Sequence, residues 1–204
     1  MVIKNMIKNF IINNSISLVN KTNKYNSIEL EEIKYGLESI YLAITKVVVI
    51  LFISACIGLF KEAVLFLLIF NLVRATAFGL HASKSIWCWV ASSISFLLIP
   101  FICKNVIFPT MFYIVASIIT MIIFLLYAPA DTVKRPLINK KKRKMYKILS
   151  VVTALIFISL IFIVDNFLIK NMLIFALILE SILISPITYK IFKLPYRNYL
   201  NYKL

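Results

Sequence analysis

"VIFPTMFYIVASIITMIIFLLYAPADTVKRPLINKKKRKMYK", residues 106–147, joins the two signals that decide the fold. Its first part, Val106–Ala128, is an apolar run of 23 residues without one Asp, Glu, Lys or Arg. A helix of about 20 apolar residues crosses the hydrocarbon core of a bilayer. Its second part, residues 129–147, carries eight Lys or Arg and one Asp. Basic clusters of this kind mark cytoplasmic segments of membrane proteins. One stretch therefore supplies a membrane span and the side on which it ends.

Applied outward, the same template gives six spans, roughly Ile40–Phe60, Ala63–Phe78, Ile86–Cys103, Val106–Ala128, Ile148–Ile169 and Met172–Phe192. The second and third are short, and a four-span version with two re-entrant stretches keeps the same sidedness. The first 39 residues hold five Lys, the tail from Lys190 holds four basic residues, and the alternate connections hold one each: Lys61, Lys104 and Lys170. Both termini and the 129–147 loop thus belong on the cytoplasmic side of the membrane. The expected fold is an all-α, polytopic integral membrane protein of about six transmembrane helices, one domain over residues 1–204.

Composition agrees. Hydrophobic residues make up 62% of the 204, against about 45–50% in soluble domains, and mean hydropathy is +0.95. The net charge of +15 would suggest a nucleic-acid partner in a soluble chain. Here it points to anionic lipid headgroups, and no nucleic-acid partner is expected. Three glycines and six prolines leave little material for linkers, and no internal repeat or inverted half is visible. No continuous apolar run ending in small residues marks a signal peptide in the first 20 residues.

Within those 20 residues, Val2, Ile3, Met6, Ile7, Phe10 and Ile11 recur at helical spacing with Lys4, Lys8 and Asn9 between them. That pattern suits an amphipathic helix lying in the interface, and equally a helix packed on the transmembrane segments. After a polar loop, Asn26 with Glu29 three residues on has the form of a capping box, so a long helix should begin there.

The hydrophobic pattern breaks at "RATAFGLHASKSIWCWV", residues 74–90, which holds His81, the sole histidine, and Cys88, one of three cysteines. On an unbroken helix, residues seven apart lie about 10.5 Å apart along the axis, whereas a thiol and its base need roughly 2.6–3.2 Å. If the two act together, the chain must turn between them. Gly79 permits a positive φ, and Ser85, or alternatively Ser83, is a fitting N-cap for the third span. Cys88 would then lie in the first helical turn, where the helix dipole favours thiolate. The competing reading makes Cys88 a small buried hydrophobe and His81 an interfacial polar residue. One histidine and scattered cysteines form no metal-ligand set, and no cofactor is implied. The odd cysteine count with no CxxC argues against a disulfide framework.

At these residues the chain resembles the accessory gene regulator B family of membrane cysteine peptidases. The resemblance rests on Arg74, on Gly79-Leu80-His81-Ala82, on Cys88 seven residues later, and on "YAPADTVKRP" from Tyr127 to Pro136. Phe78 stands where many members have a first glycine, and Val133-Lys134-Arg135 where some have three lysines. The resemblance implies a thiol peptidase of quorum sensing, with Cys88 as nucleophile and His81 as base and then acid. The implied substrate is a short propeptide with an acidic C-terminal tail, cut and cyclised to a thiolactone or lactone. Lys134 and Arg135 would meet that tail, and a homodimer is left open.

Other polar residues stay open. Arg74 suits substrate or oxyanion contact, or a snorkelling role at the interface. Asn71 and Glu38 are alternative orienters of His81. Glu180 lies near the middle of the sixth span as drawn and pairs structurally with Lys46 in one reading, while Asp165 sits near the outer end. Cys56 and Cys103 read as packing residues. Two non-peptidase classes remain beside the peptidase: a small transporter for a peptide or ion, with Arg74, Glu180 and Lys46 along its path, and a membrane scaffold.

Overall fold

The computed structural model describes Asn14, Ile16 and residues 26–80, 85–132 and 136–201. Apart from Asn14 and Ile16, the amphipathic segment over residues 1–20 lies outside the described residues, as do His81, Lys134, Arg135 and the side chain of Cys88. The chain forms two compact units, Met1–Ile53 and Ser54–Leu204.

The first unit holds most of α1, Ser27–Cys56. The helix starts where the capping pattern placed it: the Asn26 amide donates to the Glu29 carboxylate at 2.9 Å. Deeper in, Thr45 donates its hydroxyl to the Tyr41 carbonyl at 2.9 Å, so a polar side chain satisfies itself within its own helix. Drawn from sequence to Phe60, the span ends four residues earlier. Gly58 takes φ 70°, its amide donates to Ala55 and the Leu59 amide donates to Ser54. These are the two bonds of a Schellman C-cap, for which glycine is the usual residue.

In the second unit, α2 (Phe60–Ala77), α3 (Ser85–Asn105), α4 (Thr110–Tyr127), α5 (Lys140–Ile163) and α6 (Phe167–Ile184) are joined by short connections. A short α7, Pro186–Ile191, and a 3-10 turn, Asn198–Asn201, follow. All six expected spans are therefore helical, in an all-α membrane protein. α1, α4, α5 and α6 are long and apolar enough to cross a bilayer, and α3 adds a shorter apolar stretch, Trp89–Asn105. α2 carries Lys61, Glu62 and Arg74 among its 18 residues. The two that fall short are the two read as short in the sequence.

Around α6 pack α2, α3, α4 and α5. Its Leu173, Ile174, Leu177 and Ile184 are buried with Val73, Phe124, Phe157 and Ile161 from the other helices. Outward faces remain apolar, as with Ile118, Leu126 and Ile156, each about half exposed. On a soluble protein such a surface would drive association; against lipid it is the required one.

Several boundaries differ from the sequence reading for identifiable reasons. Asn166 caps α6 by accepting from the Leu168 and Ile169 amides, so α5 stops at Ile163 and Asp165 is exposed in the connection between them. Ser185 caps α7, with Pro186 at its first turn, so the last long helix ends at Ile184 rather than Phe192. The basic segment read as a loop over 129–147 divides. Asn139 caps α5, and residues 140–147 are its first two turns.

Candidate functional site

The break after α2 is built from backbone bonds and one ion pair. Phe78 has φ 62° and Gly79 has φ 89°, so the helix is reversed by two successive residues in a region that L side chains rarely occupy. The Phe78 ring meets Tyr146 of α5 edge to face at 4.7 Å between centroids. A Cβ on Gly79 would stand 2.5 Å from Arg74 Nη1 and 3.0 Å from the Leu183 carbonyl oxygen. Gly79 is thus required both for its φ and for lack of space.

The reversed segment is pinned on three sides. The Gly79 amide donates to Ala130 at 2.8 Å, the Ala130 amide to Ala77 at 3.0 Å, and the Leu80 amide to Leu183 at 3.0 Å. Arg74 Nη2 donates to the carbonyls of Gly79 at 3.1 Å and Leu80 at 2.7 Å. Arg74 Nη1 donates to both oxygens of Glu180 at 3.3 and 3.2 Å. The Glu180 side chain is fully buried, and that of Arg74 is 15% exposed. Arg74 therefore holds the break itself. Glu180, left open in the sequence, faces Arg74.

Asp131 continues the assembly from the connection between α4 and α5. Its carboxylate accepts from the amides of Asn198 and Tyr199, each at 2.9 Å, and its carbonyl accepts from the Tyr189 hydroxyl at 2.9 Å. Burial pushes the Tyr189 phenol up from its ordinary value, so it stays protonated and a donor at neutral pH. Arg143 lies over the Tyr199 ring at 3.9 Å and donates to the Leu137 carbonyl. The break, the 128–131 connection, the C-terminal end of α6 and the tail thus share one end of this unit.

At the opposite helix ends, Asn171 accepts from Tyr113 at 2.6 Å and donates to the carbonyls of Cys103 and Val106. Lys104 there pairs with Glu62 at 2.8 Å.

Of the residues singled out from sequence, Arg74 and Gly79 meet in this site. Ser85 is the first helical residue of α3, one position inside the cap expected of it, and Cys88 is the fourth, in the first turn. Asn71 is exposed and donates back to the Leu67 carbonyl of its own helix. Cys103 is buried as expected, beside Phe66, Phe70, Met172 and Ala176. Cys56, read as a packing residue, is exposed near the end of α1, because the early C-cap leaves it in the last turn.

Glu180 and Asp131 are the site residues that sequence reasoning missed. Drawing the sixth span to Phe192 put Glu180 near mid-membrane. The signal was Ser185-Pro186, a cap residue followed by a helix-starting proline, which ends α6 at Ile184. Glu180 then lies one turn from the helix end, as Arg74 does on α2.

Fold and site together define a polytopic helical membrane protein with a pinned polar break ahead of a cysteine-bearing helix start. The family model for accessory gene regulator B matches residues 5–184, and the chain belongs to that family, which ties it to accessory gene regulator quorum sensing. It is 34% identical to an AgrB-like protein of Clostridium acetobutylicum over 91% of this chain and 88% of that one. It is 33% identical to an AgrB-like protein of Listeria monocytogenes serovar 1/2a over 84% of each. To the accessory gene regulator protein B of Staphylococcus aureus strain Newman it is 31% identical, over 68% of this chain and 74% of that one. No solved structure gives a significant match.

Proposed function

We propose that this chain is a membrane-embedded cysteine endopeptidase that removes the C-terminal tail of an autoinducing-peptide precursor and promotes cyclisation of the remainder. The observation that carries the reading is the placement of Cys88 in the first turn of α3, the helix that follows the turn made at Phe78-Gly79 and held by Arg74. A helix start favours thiolate, and α2 has already ended at Ala77, ahead of His81.

The chemistry closes without water. The Cys88 thiolate adds to the scissile carbonyl, the C–N bond breaks, and His81 gives its proton to the departing amine of the tail. A thiol or hydroxyl inside the bound precursor, losing its proton to His81, then attacks the Cys88 thioester. The ring closes as a thiolactone or lactone, and Cys88 leaves as thiolate. A site among membrane helices restricts water, which would otherwise hydrolyse the intermediate. Lys134 and Arg135, with the basic start of α5, suit the acidic tail of such a precursor. The pairing of Gly79 with Ala130 places the break at the same end as that basic segment, which supports a cytoplasmic active site.

The transport alternative requires Arg74 and Glu180 as open stations along a path, whereas they are engaged with each other. The test is co-reconstitution in proteoliposomes with a short precursor peptide bearing an internal Cys or Ser and an acidic C-terminal tail. Tail release should be lost in Cys88→Ala and in His81→Ala; release at the wild-type rate in Cys88→Ala would refute the proposal.

A further inference from the structure

The structure assigns Glu180 as a positioning residue of the peptidase site, acting through Arg74 on the two residues that precede His81. The inference rests on the proposed pairing of His81 with Cys88.

Gly79 and Leu80 present their backbone polar groups to the site. There are four, and each has a partner: the Gly79 amide on Ala130, the Leu80 amide on Leu183, and both carbonyls on Arg74 Nη2. Moving the pair would break at least one of these four bonds. The carbonyl bonds depend on where the guanidinium is held. Arg74 is a long side chain with several rotatable bonds, and nothing in its own helix fixes its far end. Glu180 does so, taking Nη1 on both carboxylate oxygens from a fully buried position on α6.

Because a guanidinium is planar and rigid, fixing Nη1 aims Nη2. Glu180 also balances a cation that would otherwise draw water into the break. A carboxylate placed only for packing would need no such relay, since the α6 core around it is apolar.

Alkylation of Cys88 by iodoacetamide, followed by mass spectrometry across pH 5–10 in the reconstituted full chain, tests this without a substrate. Exposed Cys56 and buried Cys103 serve as internal references. Wild type should react at neutral pH at least about tenfold faster than His81→Ala, reflecting a paired thiolate. Glu180→Leu should fall to the His81→Ala profile, with the Cys56 rate unchanged. Glu180→Gln, whose amide oxygen still accepts from Nη1, should restore most of the rate.

Because Glu180→Leu strands the partly buried guanidinium of Arg74 and can prevent folding, Arg74→Met/Glu180→Leu removes both partners and should show the same loss in a folded chain. A wild-type profile in either the single or the double variant, alongside a clear effect of His81→Ala, would overturn the role of Glu180 alone. A wild-type profile indistinguishable from His81→Ala would overturn the His–Cys reading beneath it.

Discussion

At the scale of residues, Phe78 shows how an unfavourable backbone is kept. Its φ of 62° is costly for a residue with a Cβ, on the order of 1–3 kcal/mol. Its ring recovers some of that against Tyr146, an edge-to-face pair worth about 0.5–1.5 kcal/mol beyond burial. Two substitutions separate the terms. Phe78→Ala keeps the strain and loses the ring, so it should destabilise by roughly 2–4 kcal/mol. Phe78→Gly loses the ring but removes the strain, so it should stay within about 1.5 kcal/mol of wild type. Thermal unfolding in one detergent compares them, and an equal loss in both would contradict a strained Phe78.

At the scale of elements, the connection between α4 and α5 works as a joint rather than a linker. Asp131 is 3% exposed and accepts from Asn198 and Tyr199 of the tail. Asp131→Ala should speed hydrogen exchange of those two amides at least about tenfold, since each charge-assisted bond contributes about 1.5–3 kcal/mol. Exchange in α4 should not change; unaltered exchange at Asn198 and Tyr199 would show the tail held by other means.

The elements also show how much the sequence discloses. Apolar runs found every long helix, because lipid demands an unbroken hydrocarbon face along each. Helix ends were legible only where capping chemistry was read: Asn26-Glu29 located a start, while Gly58, Asn139, Asn166 and Ser185-Pro186 were passed over. The Arg74–Glu180 pair stayed hidden for that reason, since depth in the membrane follows from where a helix ends. Contacts such as Gly79 with Ala130 are set by packing between distant segments, which periodicity does not encode.

At the scale of the whole molecule, the proposed sidedness rests on where the basic residues fall between successive helices. Basic segments fall on alternate connections, and the 129–131 stretch shares its end of the second unit with the Gly79 break. Single cysteines introduced by Lys142→Cys and Lys170→Cys should be labelled by an impermeant maleimide from opposite sides of intact cells and inverted vesicles. Labelling of both from one side would contradict the proposed arrangement and the proposed cytoplasmic active site with it.

The central claim is that Cys88 carries the peptide as a thioester. Rapid acid quenching of the reconstituted chain with its precursor, followed by intact-protein mass spectrometry, tests it most directly. The expected product carries an added mass equal to the precursor less its tail, located on Cys88, removed by neutral hydroxylamine and absent in Cys88→Ala. Tail release with no adduct on Cys88 at any quench time, and undiminished in Cys88→Ala, would contradict it.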